Sequence, residues 1–70
     1  MSLKKRSLTL RGHRTSLALE HEFWIALDEI ANDRAVPLAA LIAEIDDSRA
    51  TPSALASAVR VAVLAHFRKA

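Results

Sequence analysis

Cysteine and tyrosine are absent from this 70-residue chain, glycine occurs once, proline twice, and the aromatic residues are Phe23, Trp24 and Phe67 alone. Without thiols no disulfide can staple the fold, and three scattered histidines are a poor basis for a structural zinc site. A single glycine excludes a Gly-rich phosphate loop, and no serine lies in a GxSxG context. No apolar run approaches the roughly 18 residues that suggest a transmembrane helix. The basic start is followed by SLTLRGHRTS rather than the apolar core of a signal peptide, so the expectation is a cytoplasmic protein without membrane attachment. With so few aromatics, the core must come from Leu, Ile, Val and Ala, which suits packed helices.

What is present is short and unevenly charged. Seventy residues make at most one domain, and a chain of this size buries a small share of its surface. Reinforcement is therefore expected, and with disulfides and metal set aside oligomerisation remains. The net charge of +2 conceals an asymmetry: Lys4, Lys5, Arg6, Arg11 and Arg14 lie in the first 14 residues without an acid, while the rest carries five basic residues against eight acidic ones. A basic arm on a mildly acidic body points to a polyanion at one end of the molecule, with nucleic acid and, less favoured, an anionic membrane surface as the two candidates.

Residues 1–12 read as a basic flexible arm, although SLTL at 7–10 alternates and could order against a partner. HRTSLALE, 13–20, alternates as a half-buried strand does, with His13, Thr15, Leu17 and Leu19 on one face and Arg14, Ser16, Ala18 and Glu20 on the other. The period then changes to that of a helix. The first helix is expected over 21–34, with Phe23, Ala26, Leu27, Ile30 and Ala31 on its apolar stripe and Trp24 on the flank, packed at a subunit boundary. A second is expected over 37–48, opening on Pro37 in its first turn and burying Leu38, Leu41, Ile42 and Ile45. A third is announced by Thr51-Pro52 and runs from 52 to 68, with Leu55, Val59, Ala62, Val63, His66 and Phe67 inward. The fold class is thus mostly α with one short β-strand: an arm over 1–12, a strand-helix-helix unit over 13–50, and a C-terminal helix over 51–70 extending the same domain.

One strand leaves a row of backbone groups unpaired. With no second strand legible in the chain, the simplest solution pairs it antiparallel with its own copy across the two-fold axis of a homodimer. The helices of both chains then cover the Leu17 and Leu19 face, and Leu17, Leu19, Phe23, Leu27, Ile30, Leu41, Ile42 and Ile45 form the dimer core. The opposite face is open.

This order, carried by RTSLALEHEFWIALDEIANDRAVPLAALIAEID at 14–46, resembles the Arc/MetJ-like ribbon-helix-helix family of DNA-binding proteins. The GHRTS start, the LEHEFW junction and the LAALIAEID helix look like a short bacterial subfamily in which a third helix follows. The resemblance implies a β-ribbon that enters the DNA major groove. Carried over residue by residue, Arg14, Ser16 and Ala18 become the base-reading positions: Arg14 can donate a bidentate pair to guanine, Ser16 can donate or accept, and Ala18 offers only an apolar contact. Ala18 and Pro37 depart from the family's pattern, because relatives tend to have a polar residue at the first position and Ser or Thr at the second. Pro37 has no N–H, so a phosphate at the start of the second helix falls to the Leu38 and Ala39 amides. Lys4, Lys5, Arg6 and Arg11 add sequence-independent phosphate contacts.

Blander readings stand beside these. Arg14 and Ser16 could be a solvated strand face, and the arm a solubilising tail. His21-Glu22 begins like HExxH, but position 25 is Ile and the second ligand is missing. Glu44, Asp46 and Asp47 read as a solvated helix face, and His66 as an interface histidine. No enzyme, cofactor or metal is expected. The function implied is sequence-specific binding of double-stranded DNA by a small transcriptional regulator. The rival is a dimerisation or interaction module, antitoxin-like or adaptor, that works through the helix at 52–68, which could also extend the dimer core or build a higher oligomer.

Overall fold

Two eight-residue segments flank the Arg11-Gly12 pair, and they fold onto one another. In the computed structural model, which describes residues 2–49 and 54–69, β1 (Leu3–Leu10) and β2 (His13–Glu20) form an antiparallel hairpin, followed by helices α1 (His21–Arg34), α2 (Leu38–Asp47) and α3 (Leu55–Arg68). Arg11 and Gly12 make the two-residue turn, with φ of 54° and 83°. Two successive positive φ values match the right-handed twist of the strands, the reason such turns favour glycine.

The strand's partner therefore lies in its own chain. Residues 3–10, expected as a flexible arm, pair along their whole length with β2, from Leu3 opposite Glu20 to Leu10 opposite His13. The physical reason is local: Leu8 and Leu10 give β1 an apolar inner edge, and the turn brings it back beside β2. Strand β2 has the expected bounds and faces, with Leu17 and Leu19 buried and Arg14 and Ser16 exposed. Its pairing with β1 satisfies one edge without a second subunit.

Helix α1 ends as expected, but by an unusual residue. Ala35 takes the left-handed conformation at φ 55°, and the Val36 N–H reaches back to the Ala31 carbonyl at 3.0 Å, closing the helix in a Schellman arrangement. Pro37 stands just outside α2 as its N-cap with extended backbone, rather than inside the first turn, and its carbonyl accepts the Leu41 N–H at 3.1 Å. Helix α3 begins at Leu55; the Thr51-Pro52 start expected for it lies outside the described residues.

All three helices contribute to one core within a single chain. Trp24, Leu19, Leu27, Ile42 and Val59 are its fully buried side chains, joined by Leu10, Leu17, Ile30, Ala31, Leu41 and Val63. Phe23 and Ile45, expected at the centre, are only half-buried at its margin. Trp24, expected at a subunit boundary, is 1% exposed and central. Three consecutive large apolar residues at 23–25 left the orientation of α1 open, and the hairpin decides it by giving the indole ring a lid.

Candidate nucleic-acid interface

The hairpin register sorts its side chains into two rows. Lys4, Arg6, Leu8 and Leu10 share the inner face with Leu19, Leu17, Thr15 and His13, and the outer face pairs Lys5 with Ala18, Ser7 with Ser16 and Thr9 with Arg14. Burial follows: the inner row contains every buried strand residue, while Lys5, Ser7, Thr9, Arg14 and Ser16 are exposed and Ala18 half-buried. The outer row contains two cations, three hydroxyls and no acid until Glu20, opposite Leu3 at the far end. Among the described residues, neither Lys5 nor Arg14 is in a salt bridge.

Glu20 is itself neutralised. Arg60 of α3 donates to its carboxylate through Nε at 3.0 Å and NH2 at 2.9 Å. A hydrogen bond to backbone at Glu20 itself, and then this guanidinium, hold the carboxyl below its ordinary range. The pair ties the end of β2 to α3, and the Arg60 guanidinium also lies over the Phe23 ring, 5.7 Å from its centroid.

Of the other basic residues expected to hold phosphate, Arg6 and Arg11 are engaged through their side chains and Lys4 through its backbone alone. Arg6, on the inner row, stacks its guanidinium over Trp24 at 4.5 Å from the ring centroid and lies 3.8 Å from the Asp28 carboxylate. Arg11 grips the Asp47 carboxylate at the end of α2 with both terminal nitrogens. Lys4 shares the inner row, and its carbonyl oxygen accepts the Trp24 indole N–H at 2.8 Å. Leu38 and Ala39 are half-buried against the core at the start of α2, the end opposite Asp47 and the hairpin turn. The nine expected contacts are thereby divided: Lys5, Arg14, Ser16 and Ala18 come together on one open face with Ser7 and Thr9, while Lys4 and Arg6 lie on the inner row, Arg11 stands at the turn in an ion pair, and Leu38 and Ala39 lie at the start of α2.

Ser7 and Thr9 were missed by sequence reasoning, although the alternation of SLTL and the Arg-Gly pair were the signals available for a hairpin. Arg34, bonded to Glu44 at 3.1 and 2.9 Å, was also missed; the pair joins the end of α1 to α2, raising the guanidinium's pKa and lowering the carboxylate's through that hydrogen bond. Among the described residues no group of three His, Cys, Asp or Glu could hold a metal, and no helix is long and apolar enough to cross a membrane.

A second open surface lies along α3. Val61, Leu64 and Phe67 are 63%, 56% and 54% exposed. With Phe23, Arg60 and Val63 they line a shallow groove without polar surface.

The family model of the ribbon-helix-helix domain matches residues 3–67, almost the whole chain and every element of the fold. The chain belongs to the ribbon-helix-helix family. Ribbon-helix-helix domains are a non-enzymatic fold family, typically DNA-binding transcription regulators that form dimers. No curated protein and no solved structure matches this chain closely enough to be called similar. In this ribbon-helix-helix chain the match begins at Leu3, so it takes in β1 as well as the strand-helix-helix unit that first suggested the family.

Proposed function

We propose that this protein binds double-stranded DNA with sequence specificity through the outer face of its β-ribbon, as a homodimer and a small transcriptional regulator working beside bacterial DNA in the cytoplasm. The observation that carries the reading is the outer row itself: Arg14 and Ser16 are exposed and acid-free, on the side of the sheet away from the helices. A β-ribbon fits the major groove, and its outward side chains can reach base edges. Arg14 supplies a bidentate donor for guanine, Ser16 a donor or acceptor, and Ala18 an apolar contact for a thymine methyl.

The dimer reading rests on the second edge of β2. In a two-residue hairpin the pair flanking the turn is the hydrogen-bonded one, and alternation then directs the backbone groups of Arg14, Ser16 and Ala18 away from β1. An antiparallel copy of β2 satisfies them symmetrically, which gives an isologous contact. Sedimentation equilibrium should find a species of twice the 7.7 kDa chain mass.

Selection from random duplexes tests the DNA reading. Wild-type protein should enrich a pseudo-palindrome, with affinity falling steeply as salt rises, and Arg14→Ala should lose the enrichment. Absence of enrichment by the wild type removes the proposal. The exposed Val61, Leu64 and Phe67 favour a second reading, an interaction module acting through α3. Under that reading Val61→Lys disrupts partner binding and Arg14→Ala does not.

A further inference from the structure

We propose that the outward residues of β1, namely Lys5, Ser7 and Thr9, hold the two phosphate backbones that wall the groove while β2 reads its floor. The inference rests on the DNA-binding dimer above and adds a division of labour between the strands. Joining two copies through β2 produces a four-stranded sheet with β1 outermost on each side. Neighbouring strands lie about 4.8 Å apart, so the two β1 strands stand about 14 Å from each other. The major groove is about 12 Å wide. Only the central β2 pair therefore sits over the bases, and each β1 strand lies over a rim.

The chemistry of β1 suits that place. Its outer row is an ammonium and two alcohols, donors suited to phosphate oxygens, with no acid among the three. The same alternation that frees the β2 edge directs the N–H groups of Lys5, Ser7 and Thr9 outward, toward the wall. Lys5 is in no salt bridge among the described residues, whereas Arg6 and Arg11 are taken by Asp28 and Asp47. The strand is also held in place before DNA arrives, because Trp24 binds the Lys4 carbonyl and stacks under Arg6. Phosphate contacts made by a fixed strand cost less ordering than those of a mobile tail.

The test uses the duplex enriched by the wild type and an unrelated duplex, titrated over a salt series with wild type, Lys5→Ala, Lys5→Arg, Ser7→Ala/Thr9→Ala and Arg14→Ala, each checked for an unchanged thermal melt. Lys5→Ala should weaken both duplexes alike and reduce the salt slope by about 1 for each Lys5 lost, about 2 per dimer. Lys5→Arg should restore the slope. The double alcohol variant should weaken binding at an unchanged slope. Repeated selection with the β1 variants should return the wild-type motif, while Arg14→Ala changes or loses it. A motif altered at particular bases by the β1 variants overturns the inference, because β1 then lies inside the groove; so do unchanged affinity and slope. Failure of the wild type to enrich any sequence removes the underlying DNA reading instead, and is seen before any β1 variant is made.

Discussion

The Trp24 indole N–H donates to the carbonyl oxygen of Lys4 at 2.8 Å, fastening β1 to α1 at the centre of the molecule. Arg6, two residues along the same strand row, covers the ring. Trp24→Phe keeps an aromatic filler but loses the donor and part of the contact area, and should cost about 1 kcal/mol for the bond alone. Trp24→Ala should cost about 3–5 kcal/mol, a large share of the stability of a domain this small. Urea unfolding monitored by circular dichroism measures both, and equal losses for Phe and Ala contradict the packing described.

Two positive-φ positions predict opposite signs for the same pair of residue types. Gly12 has open space where a Cβ would go, so Gly12→Ala meets no neighbour, but its φ of 83° disfavours a side chain. It should destabilise by about 1 kcal/mol. Ala35 already bears that penalty at φ 55°, and Ala35→Gly should stabilise by up to about 1 kcal/mol. Paired thermal melts with shifts of opposite direction are the expected result.

Glu20 makes stability depend on acid. Its folded pKa lies below the ordinary 4.5, chiefly through the hydrogen bond to backbone at its own position and then through Arg60. Glu44 is lowered too, by the hydrogen bond from Arg34 and then by its charge. Carboxylates of lowered pKa contribute stability that is complete above the unfolded pKa and is lost as pH falls through the folded one. Stability should therefore be flat near neutrality and decline below about pH 4.5. Glu20→Gln should lower stability at pH 7 and flatten that acid decline, measured as the denaturant midpoint against pH.

Asp47 occupies a cation at the hairpin turn. Asp47→Asn removes the carboxylate that Arg11 grips with two nitrogens. Both side chains are about half exposed, at 59% and 48%, so the pair contributes little to stability, about 1 kcal/mol or less. On the DNA-binding reading the freed Arg11 should tighten binding to any duplex and steepen its salt dependence. Unchanged binding by Asp47→Asn means that the turn stays away from phosphate.

Strand β2 and helices α1 and α2 were legible because their apolar periods are distinct: Leu17 and Leu19 two apart, then Leu38, Leu41, Ile42 and Ile45 at helical spacing. Strand β1 was not, because five of its eight residues, Lys4, Lys5, Arg6, Ser7 and Thr9, are polar or charged, and only Leu8 and Leu10 mark an inner edge. A charged segment reads as a tail until something covers its inner face. Here that cover is the Trp24 ring, whose inward position Phe23 and Ile25 on either side concealed.

For the same reason the candidate site was legible only in part. Alternation alone determined that Arg14, Ser16 and Ala18 share the face opposite Leu17 and Leu19, since side chains in a strand change sides at every residue. Charge alone placed Lys4, Lys5, Arg6 and Arg11 together in the sequence. The tertiary structure separated them: the register sent Lys5 to the outer row beside Ala18 and Arg6 to the inner row over Trp24, and the fold brought Asp47 to Arg11. Periodicity along one segment belongs to that segment's own backbone geometry and can be read from sequence. Which strand closes the hairpin, and which charge meets which, depends on contacts between residues far apart in the chain, and only the folded chain decides them.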